Sequence, residues 1–182
     1  EVLAAKAECF NERGLFKPYS TNENLARYWA IPGTEGLEHR LGGLEKQPLT
    51  GAISYSPEDH ATMGRLRAER VENVKSMFPA FKHEGENGGD LLVLAWGSNA
   101  GKVREAVMKL HNEGCSVAYA TVDLINPLPS GLTGRMAQYK RVLVCESNSG
   151  QLASLLRSNT SHEDIRSLAS MEAQPFNVGD LV

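Results

Sequence analysis

Apolar residues follow a helical period in one part of the chain. Residues 56–78 place apolar side chains at helical spacing, and polar side chains occupy the opposite face. The run begins with Ser56, a residue suited to an N-cap, followed by Pro57 and two acidic residues where the positive end of a helix dipole would lie. Pro79 ends the pattern. The spacing therefore predicts a long surface helix over residues 57–78.

The pattern changes after residue 90, where short apolar runs alternate with amphipathic segments. The predicted strands and helices are strand 91–95, helix 98–112, strand 116–122, helix 132–139, strand 141–145 and helix 151–159. Gly114 stands where glycine commonly ends a helix, and residues 174–182 are candidates for a last short element. Alternation of strand and helix implies a parallel sheet with right-handed crossovers. The predicted fold class is α/β, with a mostly parallel, doubly wound sheet.

The segment before the long helix has no sustained period. Residues 15–56 are rich in proline and glycine, but Tyr28, Trp29 and Ile31 would serve no purpose in a solvated linker. We therefore expect an extended linker that covers a partner surface, or a functional loop. The first 14 residues are predicted to form a helix that has no N-cap and that ends at Gly14. A helix that begins without a cap suggests that the chain is a C-terminal piece of a longer protein.

These patterns predict three regions along the chain. Residues 1–14 would be the end of an upstream domain, and residues 15–85 a linker that contains the long helix. Residues 86–182 would form the α/β domain, preceded by the polar, glycine-rich segment 82–90. We expect residues 1–85 to drape over absent parts of a larger assembly, while residues 86–182 fold independently.

Composition and charge exclude several classes of protein. The 182 residues carry 19 basic and 22 acidic side chains, a net charge of −3, which argues against nucleic-acid or membrane-surface partners. No apolar run approaches the roughly 18 residues that span a bilayer. Cys9, Cys115 and Cys145 form no CxxC pair, which argues against a zinc or Fe–S site and fits a reducing, cytoplasmic compartment.

Two loops leave the carboxyl ends of predicted strands, where parallel sheets place ligand sites. Each precedes a helix whose first N–H groups could hold an anion. The candidate cofactor-binding residues in these loops are Gly97, Ser98, Glu146, Asn148, Gly150 and Gln151. Neither loop has GxGxxG or P-loop spacing, so a tight turn at Gly97 and a helix cap at Ser98 are the favoured interpretation. Glu146 suits a ligand-binding group and a helix cap equally well.

No other pattern supplies an active site. The five histidines include no pair at ligand spacing on one helix, and there is no Gly-x-Ser-x-Gly elbow. Cys145 ends an apolar strand, which predicts an unreactive core thiol. The residues by themselves therefore predict an α/β module with no catalytic residue, no metal site and no firm cofactor site.

A series of short motifs runs in order through residues 25–182. They are Ile31-Pro32-Gly33-Thr34, Gly43-Leu44-Glu45, Pro57 through Arg70, Asp90-Leu91-Leu92-Val93 with Trp96-Gly97-Ser98, Asn126-Pro127-Leu128-Pro129, Glu146-x-Asn148-x-Gly150-Gln151-Leu152, and Gln174-Pro175-Phe176. In this order and spacing they resemble the alpha subunit of 2-oxoacid:ferredoxin oxidoreductases, most of all the 2-oxoglutarate type. Lys46 stands where the family usually has histidine, and Ala173 where it often has glycine.

The resemblance implies an activity for the whole enzyme. Such enzymes convert a 2-oxoacid and coenzyme A to acyl-CoA and CO2 and pass two electrons to ferredoxin. Thiamine diphosphate, Mg and an Fe–S cluster are implied for the full complex, held largely by the beta subunit and by earlier alpha-subunit domains. This chain has neither cluster cysteines nor a Gly-Asp-Gly thiamine motif. The resemblance makes it the transketolase C-terminal-like domain with its preceding linker, and makes the beta subunit its partner.

Three hypotheses about function follow. In the first, the segment is a structural and assembly module that binds no cofactor and is inactive alone. In the second, it is a small-molecule binding domain whose strand-end loops hold a ligand such as part of coenzyme A. In the third, it is the C-terminal domain of a transketolase or a pyruvate dehydrogenase beta-like chain, which the Ile-Pro-Gly-Thr motif fits less well.

Overall fold

The computed structural model describes residues 14–78, 81–172, 174 and 176–182. The helix predicted over residues 1–14 lies outside the described residues except for Gly14. The chain divides into two compact units, Glu1–Val74 and Lys75–Val182, and each is described by itself below.

In the described part of the first unit there is one long helix, α1 (Pro57–Asn73), and a 3₁₀ turn (Val74–Met77) follows it. The Ser56 hydroxyl accepts hydrogen bonds from the N–H groups of Glu58 and Asp59 at 3.1 and 3.2 Å. This confirms the predicted N-cap. Only Met63 of this helix is buried, as expected for a surface helix. Residues 14–56 form no named helix or strand and carry three isolated β-bridges.

Two charged residues organise the loop segment of this unit. The Glu45 carboxylate accepts two hydrogen bonds from the Arg67 guanidinium, at 3.2 and 3.3 Å, and lies 2.6 Å from His60 Nδ1. Both partners stand on α1, so Glu45 fastens the loop to the helix. Lys46 is only 2% exposed, and its Nζ donates to the carbonyl oxygens of Gly42 and Leu44 at 2.9 and 3.1 Å.

A five-stranded sheet forms the centre of the second unit. Its strands are β1 (Lys82–Glu84), β2 (Gly89–Ala95), β3 (Val117–Thr121), β4 (Tyr139–Glu146) and β5 (Ile165–Ala169), in the spatial order β1-β3-β2-β4-β5. β2 pairs in parallel with β3 and β4, β4 pairs in parallel with β5, and only β1 is antiparallel. The predicted mostly parallel, doubly wound sheet is confirmed.

Helices accompany the sheet and contribute to two separate apolar cores. They are α2 (Ala100–Asn112), α3 (Leu132–Met136), α4 (Gln151–Asn159) and α5 (Val178–Leu181). Leu92 and Leu94 belong to one core with side chains of α3 and α4, whereas Val93 and Ala95 belong to the other with side chains of α2. Successive residues of a strand point to opposite faces, so a strand covered on both sides is apolar without interruption.

The glycine predicted to end α2 does so. Gly114 has φ of +90°, a conformation that glycine adopts without a steric penalty. Its N–H donates to the carbonyl of His111 at 3.0 Å, and the next N–H, of Cys115, donates to the carbonyl of Leu110 at 3.1 Å. This pair of hydrogen bonds is the Schellman arrangement, which satisfies carbonyl groups that the end of a helix leaves free.

Several predicted elements differ from the structure. β1 and β5 were not predicted, because β1 consists of three polar residues and β5 carries only one fully buried side chain, Ile165. β1 falls within the polar segment 82–90. The predicted helix 132–139 ends at Met136, and Tyr139 already begins β4, which continues to Glu146. Residues 178–181 form α5, which fulfils the expectation of a last short element.

Candidate functional site

The carboxyl ends of β2 and β4 are neighbours in the sheet. Ala95, the last residue of β2, pairs with Cys145 of β4. From β2 the chain continues to β3 on one side, and it then crosses back to β4 on the other side. The direction of winding therefore reverses between β2 and β4, which is where open α/β sheets most often hold ligands. Both loops predicted to carry candidate site residues leave the sheet here.

A hydrogen bond joins these two loops. The Asn99 amide donates from Nδ2 to the Ser147 hydroxyl at 2.8 Å. Asn99 is 3% exposed, and its Oδ1 has no hydrogen-bond partner among the described residues. A buried amide oxygen without a donor is energetically unfavourable. Asn99 was absent from the predicted site residues, and its only signal in the sequence was a polar side chain at the start of a helix.

Glu146 is fully buried and caps α4. Its Oε2 accepts the N–H of Leu152 at 2.8 Å, while its Oε1 accepts the N–H of Ala153 at 3.2 Å and the hydroxyl of Ser167 at 2.8 Å. A carboxylate in this position also interacts favourably with the positive end of the helix dipole. Of the two roles that suited Glu146 in the sequence, the contacts in the structure correspond to the helix cap.

Asn148 completes the capping of α4. Its Oδ1 accepts the N–H groups of Gly150 and Gln151 at 2.8 and 2.9 Å. Together with Glu146, it satisfies four consecutive N–H groups at the start of this helix. These are the groups that would bind an anion at a helix N-terminus. An anion at this end of α4 would have to displace a side chain of the chain itself, and ligand binding by Gly150 and Gln151 stays a prediction.

The start of α2 is built differently. Gly97, Ser98 and Asn99 form a 3₁₀ turn, and the N–H of Ala100 donates to the carbonyl of Gly97. The prediction that Ser98 caps the helix is wrong, because the N-cap position belongs to Asn99, whose side chain makes no capping hydrogen bond. The preceding 3₁₀ turn shifts the start of the helix beyond Ser98. A ligand-binding role for Gly97 and Ser98 stays a prediction.

The chemistry of the remaining groups near this edge is limited. Cys145 is 1% exposed, and burial, followed by the charge of Glu146, raises the pKa of its thiol to about 12. The thiol is therefore protonated at neutral pH and unreactive, as predicted. Within residues 14–78, 81–172, 174 and 176–182, no group of three His, Cys, Asp or Glu side chains is placed to hold a metal ion. The described part of the chain also contains no helix that is long and apolar enough to cross a membrane.

A second surface of interest lies in the first unit, where several large apolar side chains are exposed. They include Leu15, Trp29, Ile31, Leu41, Leu44, Leu49 and Tyr55. Trp29 is 82% exposed and Leu41 is 70% exposed. Both line a cleft of about 270 Å³, together with the arginines Arg27 and Arg70. We call the part of this surface formed by Trp29 and Leu41 the tryptophan cleft.

Comparison with known proteins gives a consistent result. Residues 89–179 match the family described as pyruvate:ferredoxin oxidoreductase core domain II. The chain is 38% identical over 163 residues to the 2-oxoglutarate oxidoreductase subunit KorA of Mycobacterium tuberculosis, a match that covers 88% of the chain. It is 31% identical over 144 residues to the alpha subunit of 2-oxoacid:ferredoxin oxidoreductase 2 of Aeropyrum pernix, covering 78% of the chain.

A solved structure shows the same fold. The 2-oxoglutarate:ferredoxin oxidoreductase of Magnetococcus marinus, with 2-oxoglutarate, coenzyme A and succinyl-CoA bound, matches with a TM-score of 0.83 and 33% identity over 96% of the chain. The chain spans only 24% and 22% of the length of the two relatives and 31% of the solved chain.

Proposed function

This chain belongs to the pyruvate:ferredoxin oxidoreductase core domain II family, and on that premise we propose that it is the C-terminal part of the alpha subunit of a 2-oxoacid:ferredoxin oxidoreductase. The substrate of the whole enzyme is 2-oxoglutarate, which it converts with coenzyme A to an acyl-CoA and CO2 while ferredoxin takes up two electrons. The support is the identity to the KorA subunit and the Magnetococcus marinus enzyme, which was solved with 2-oxoglutarate and succinyl-CoA.

Within that enzyme the segment serves assembly, and residues 1–85 form its docking part. The observation that carries this role is the tryptophan cleft. Trp29 and Leu41 each leave most of their side chain in water, where an interface would gain free energy by covering them. A tryptophan beside arginines is also the composition that protein interfaces favour. The beta subunit is the proposed partner, and the α/β domain of residues 86–182 supports the docking part.

The cofactors of the complex are held elsewhere. An Fe–S cluster does not fit the described residues, because Cys115 is exposed after α2 whereas Cys145 is buried in β4. Among these residues, no group of three His, Cys, Asp or Glu side chains is placed to hold a metal ion. Thiamine diphosphate and its Mg are likewise assigned to the beta subunit and to other alpha-subunit domains. The segment is therefore inactive alone, and we place the enzyme in the cytoplasm, where thiols stay reduced.

The assembly role is tested by calorimetric titration of the chain into purified beta subunit from the same organism. We expect saturable binding, and Trp29→Ala should weaken it at least about 10-fold because buried tryptophans dominate many interfaces. Met171→Ala is the matched control, since Met171 is 78% exposed and lies in the other unit. Absence of binding by a folded chain, or equal loss in both variants, would contradict the role.

Asn99 favours a second candidate function, a small-molecule binding domain for a ligand of the coenzyme A type. Its buried Oδ1 has no hydrogen-bond partner in the described part of the chain and lies where β2 and β4 end side by side, and a ligand N–H or O–H could satisfy it. A ligand that binds the folded state raises the melting temperature with concentration. Under this function, millimolar coenzyme A should raise the melting temperature of the chain but not that of Asn99→Ala. If neither coenzyme A nor thiamine diphosphate shifts the melting temperature, the assembly role is the one that remains.

A further inference from the structure

A second pocket lies in the α/β unit, toward the opposite end of β4 from Glu146. It has a volume of about 570 Å³ and is lined by Phe81, His83, Asn87, Arg135 and Gln138, together with two glycines. Pockets of this size accommodate small ligands. Four of the lining residues, His83, Asn87, Arg135 and Gln138, carry groups that bind polar ligands, and Phe81 supplies an apolar wall.

Among the described residues that line this pocket, Arg135 is the only charged one, apart from the titratable His83. Its Nη1 donates to the side-chain and main-chain oxygens of Asn87, at 2.6 and 3.4 Å. No described residue accepts a hydrogen bond from Nε or Nη2, and no described carboxylate lies within salt-bridge distance. The guanidinium is thus held by one nitrogen while its other donors stay available. A planar fork of N–H groups suits the oxygens of a phosphate or a carboxylate.

His83 offers a hydrogen-bond acceptor, whereas Arg135 offers donors. The Tyr139 hydroxyl donates its single proton to the main-chain carbonyl of Glu86, so its oxygen must accept from His83 Nε2, which lies 2.8 Å away. The Nε2 atom therefore carries the proton, and Nδ1 of the neutral ring has a lone pair. Burial, and after it the charge of Arg135, lowers the pKa of His83, which favours this neutral form. No described residue donates to Nδ1.

We propose that this pocket binds a hydrogenphosphate group, whose charged oxygens accept hydrogen bonds from Arg135 and whose P–OH group donates one to His83 Nδ1. Arg135 offers hydrogen-bond donors and His83 Nδ1 an acceptor, so this pair suits an anion that both accepts and donates hydrogen bonds. Inorganic phosphate retains a proton at neutral pH, whereas sulfate of the same shape does not. The pocket should therefore distinguish these two anions. This site shares no residue with the tryptophan cleft and does not depend on the assembly role.

The test is isothermal titration of the chain with inorganic phosphate and with sulfate at pH 7. We expect saturable binding of phosphate at one site per chain and binding of sulfate at least about 10-fold weaker. Arg135→Gln should lower phosphate affinity roughly 10- to 100-fold, the range for a lost charge-assisted hydrogen bond. Arg141→Gln, which changes an exposed arginine outside the pocket, is the matched control and should bind as the unaltered chain does.

Two further variants separate binding from folding. Arg135→Lys retains the charge without the planar fork and should bind with intermediate affinity. His83→Ala should reduce the preference for phosphate over sulfate, which loss of packing alone would not do. Failure of phosphate to bind at about 10 mM, tenfold above a dissociation constant of about 1 mM, would overturn the proposal. Equal binding of the two anions by the unaltered chain, or unchanged affinity in Arg135→Gln, would also overturn it.

Discussion

The buried carboxylate of Glu146 provides the sharpest test of how the α/β unit is stabilised. Glu146→Gln retains the shape of the side chain but removes its charge and converts one acceptor oxygen to a donor. In the structure, the two carboxylate oxygens accept three hydrogen bonds, two from N–H groups of α4 and one from the Ser167 hydroxyl. The single carboxamide oxygen of glutamine can occupy the position of only one of the two carboxylate oxygens. Its NH2 group then occupies the other position and faces a hydrogen-bond donor.

The magnitude follows from these contacts. A hydrogen bond to a charged group contributes about 1.5–3 kcal/mol, and a buried donor left without a partner costs about 1–3 kcal/mol. Loss of a charge at the helix N-terminus adds up to about 1 kcal/mol. Because the Ser167 hydroxyl can rotate to a new partner, we expect Glu146→Gln to lower the free energy of unfolding by about 2–4 kcal/mol.

Urea denaturation followed by far-UV circular dichroism measures this change. Glu105→Gln on the exposed surface of α2 is the matched control and should stay within about 0.5 kcal/mol of the unaltered chain. Amide hydrogen exchange at Leu152 and Ala153 should accelerate in Glu146→Gln and not in the control. A change below about 0.5 kcal/mol in Glu146→Gln would refute the capping argument, because the three hydrogen bonds would then contribute nothing net.

Three further predictions concern other parts of the chain. Hydrogen bonds from Arg67, then from the Lys46 N–H, and then from His60 lower the pKa of Glu45 to about 2. The stabilising effect of the Glu45 carboxylate is therefore complete above about pH 4.5 and is lost as the pH falls toward 2. The free energy of unfolding of the unaltered chain, measured against pH, should differ most from that of Glu45→Gln above about pH 4.5, and the two should converge as the pH falls toward 2. Ser56→Ala should lower the free energy of unfolding of the first unit by about 1 kcal/mol through loss of the N-cap of α1. Equal stability of Ser56→Ala and the unaltered chain in urea denaturation would contradict this. Iodoacetamide followed by peptide mapping should label exposed Cys115 and spare Cys145, whose thiol is buried with a pKa near 12; labelling of both at equal rates in the folded chain would show that the core is open.

Local sequence signals predicted the elements whose patterns were complete within a few residues. Ser56 and Pro57 mark the start of α1, and Gly114 marks the end of α2, because caps act through hydrogen bonds between near neighbours. The helix predicted over residues 151–159 matches α4. The apolar run 91–95 indicated a strand covered on both faces, since each face of the sheet has its own core.

Elements at the edges of the sheet escaped prediction. β1 has three residues, too few to establish a period, and it exists through its pairing with β3, in which His83 lies opposite Ala120. β5 similarly pairs with β4 at the other edge. Edge strands of this kind form by pairing with a strand that lies far away in the sequence, so the local sequence pattern cannot define where they begin and end.

By itself the sequence determined the α/β class, the alternation of strands and helices, the family resemblance and the position of both strand-end loops. Only the tertiary structure decided what the polar residues of those loops do. Glu146 caps a helix because residues 152 and 153 and Ser167 converge on it, and Asn99 meets Ser147 because β2 and β4 become neighbours. The physical reason is range: capping and periodicity act over a few residues, whereas burial and pairing of a polar group depend on chain segments that only folding brings together.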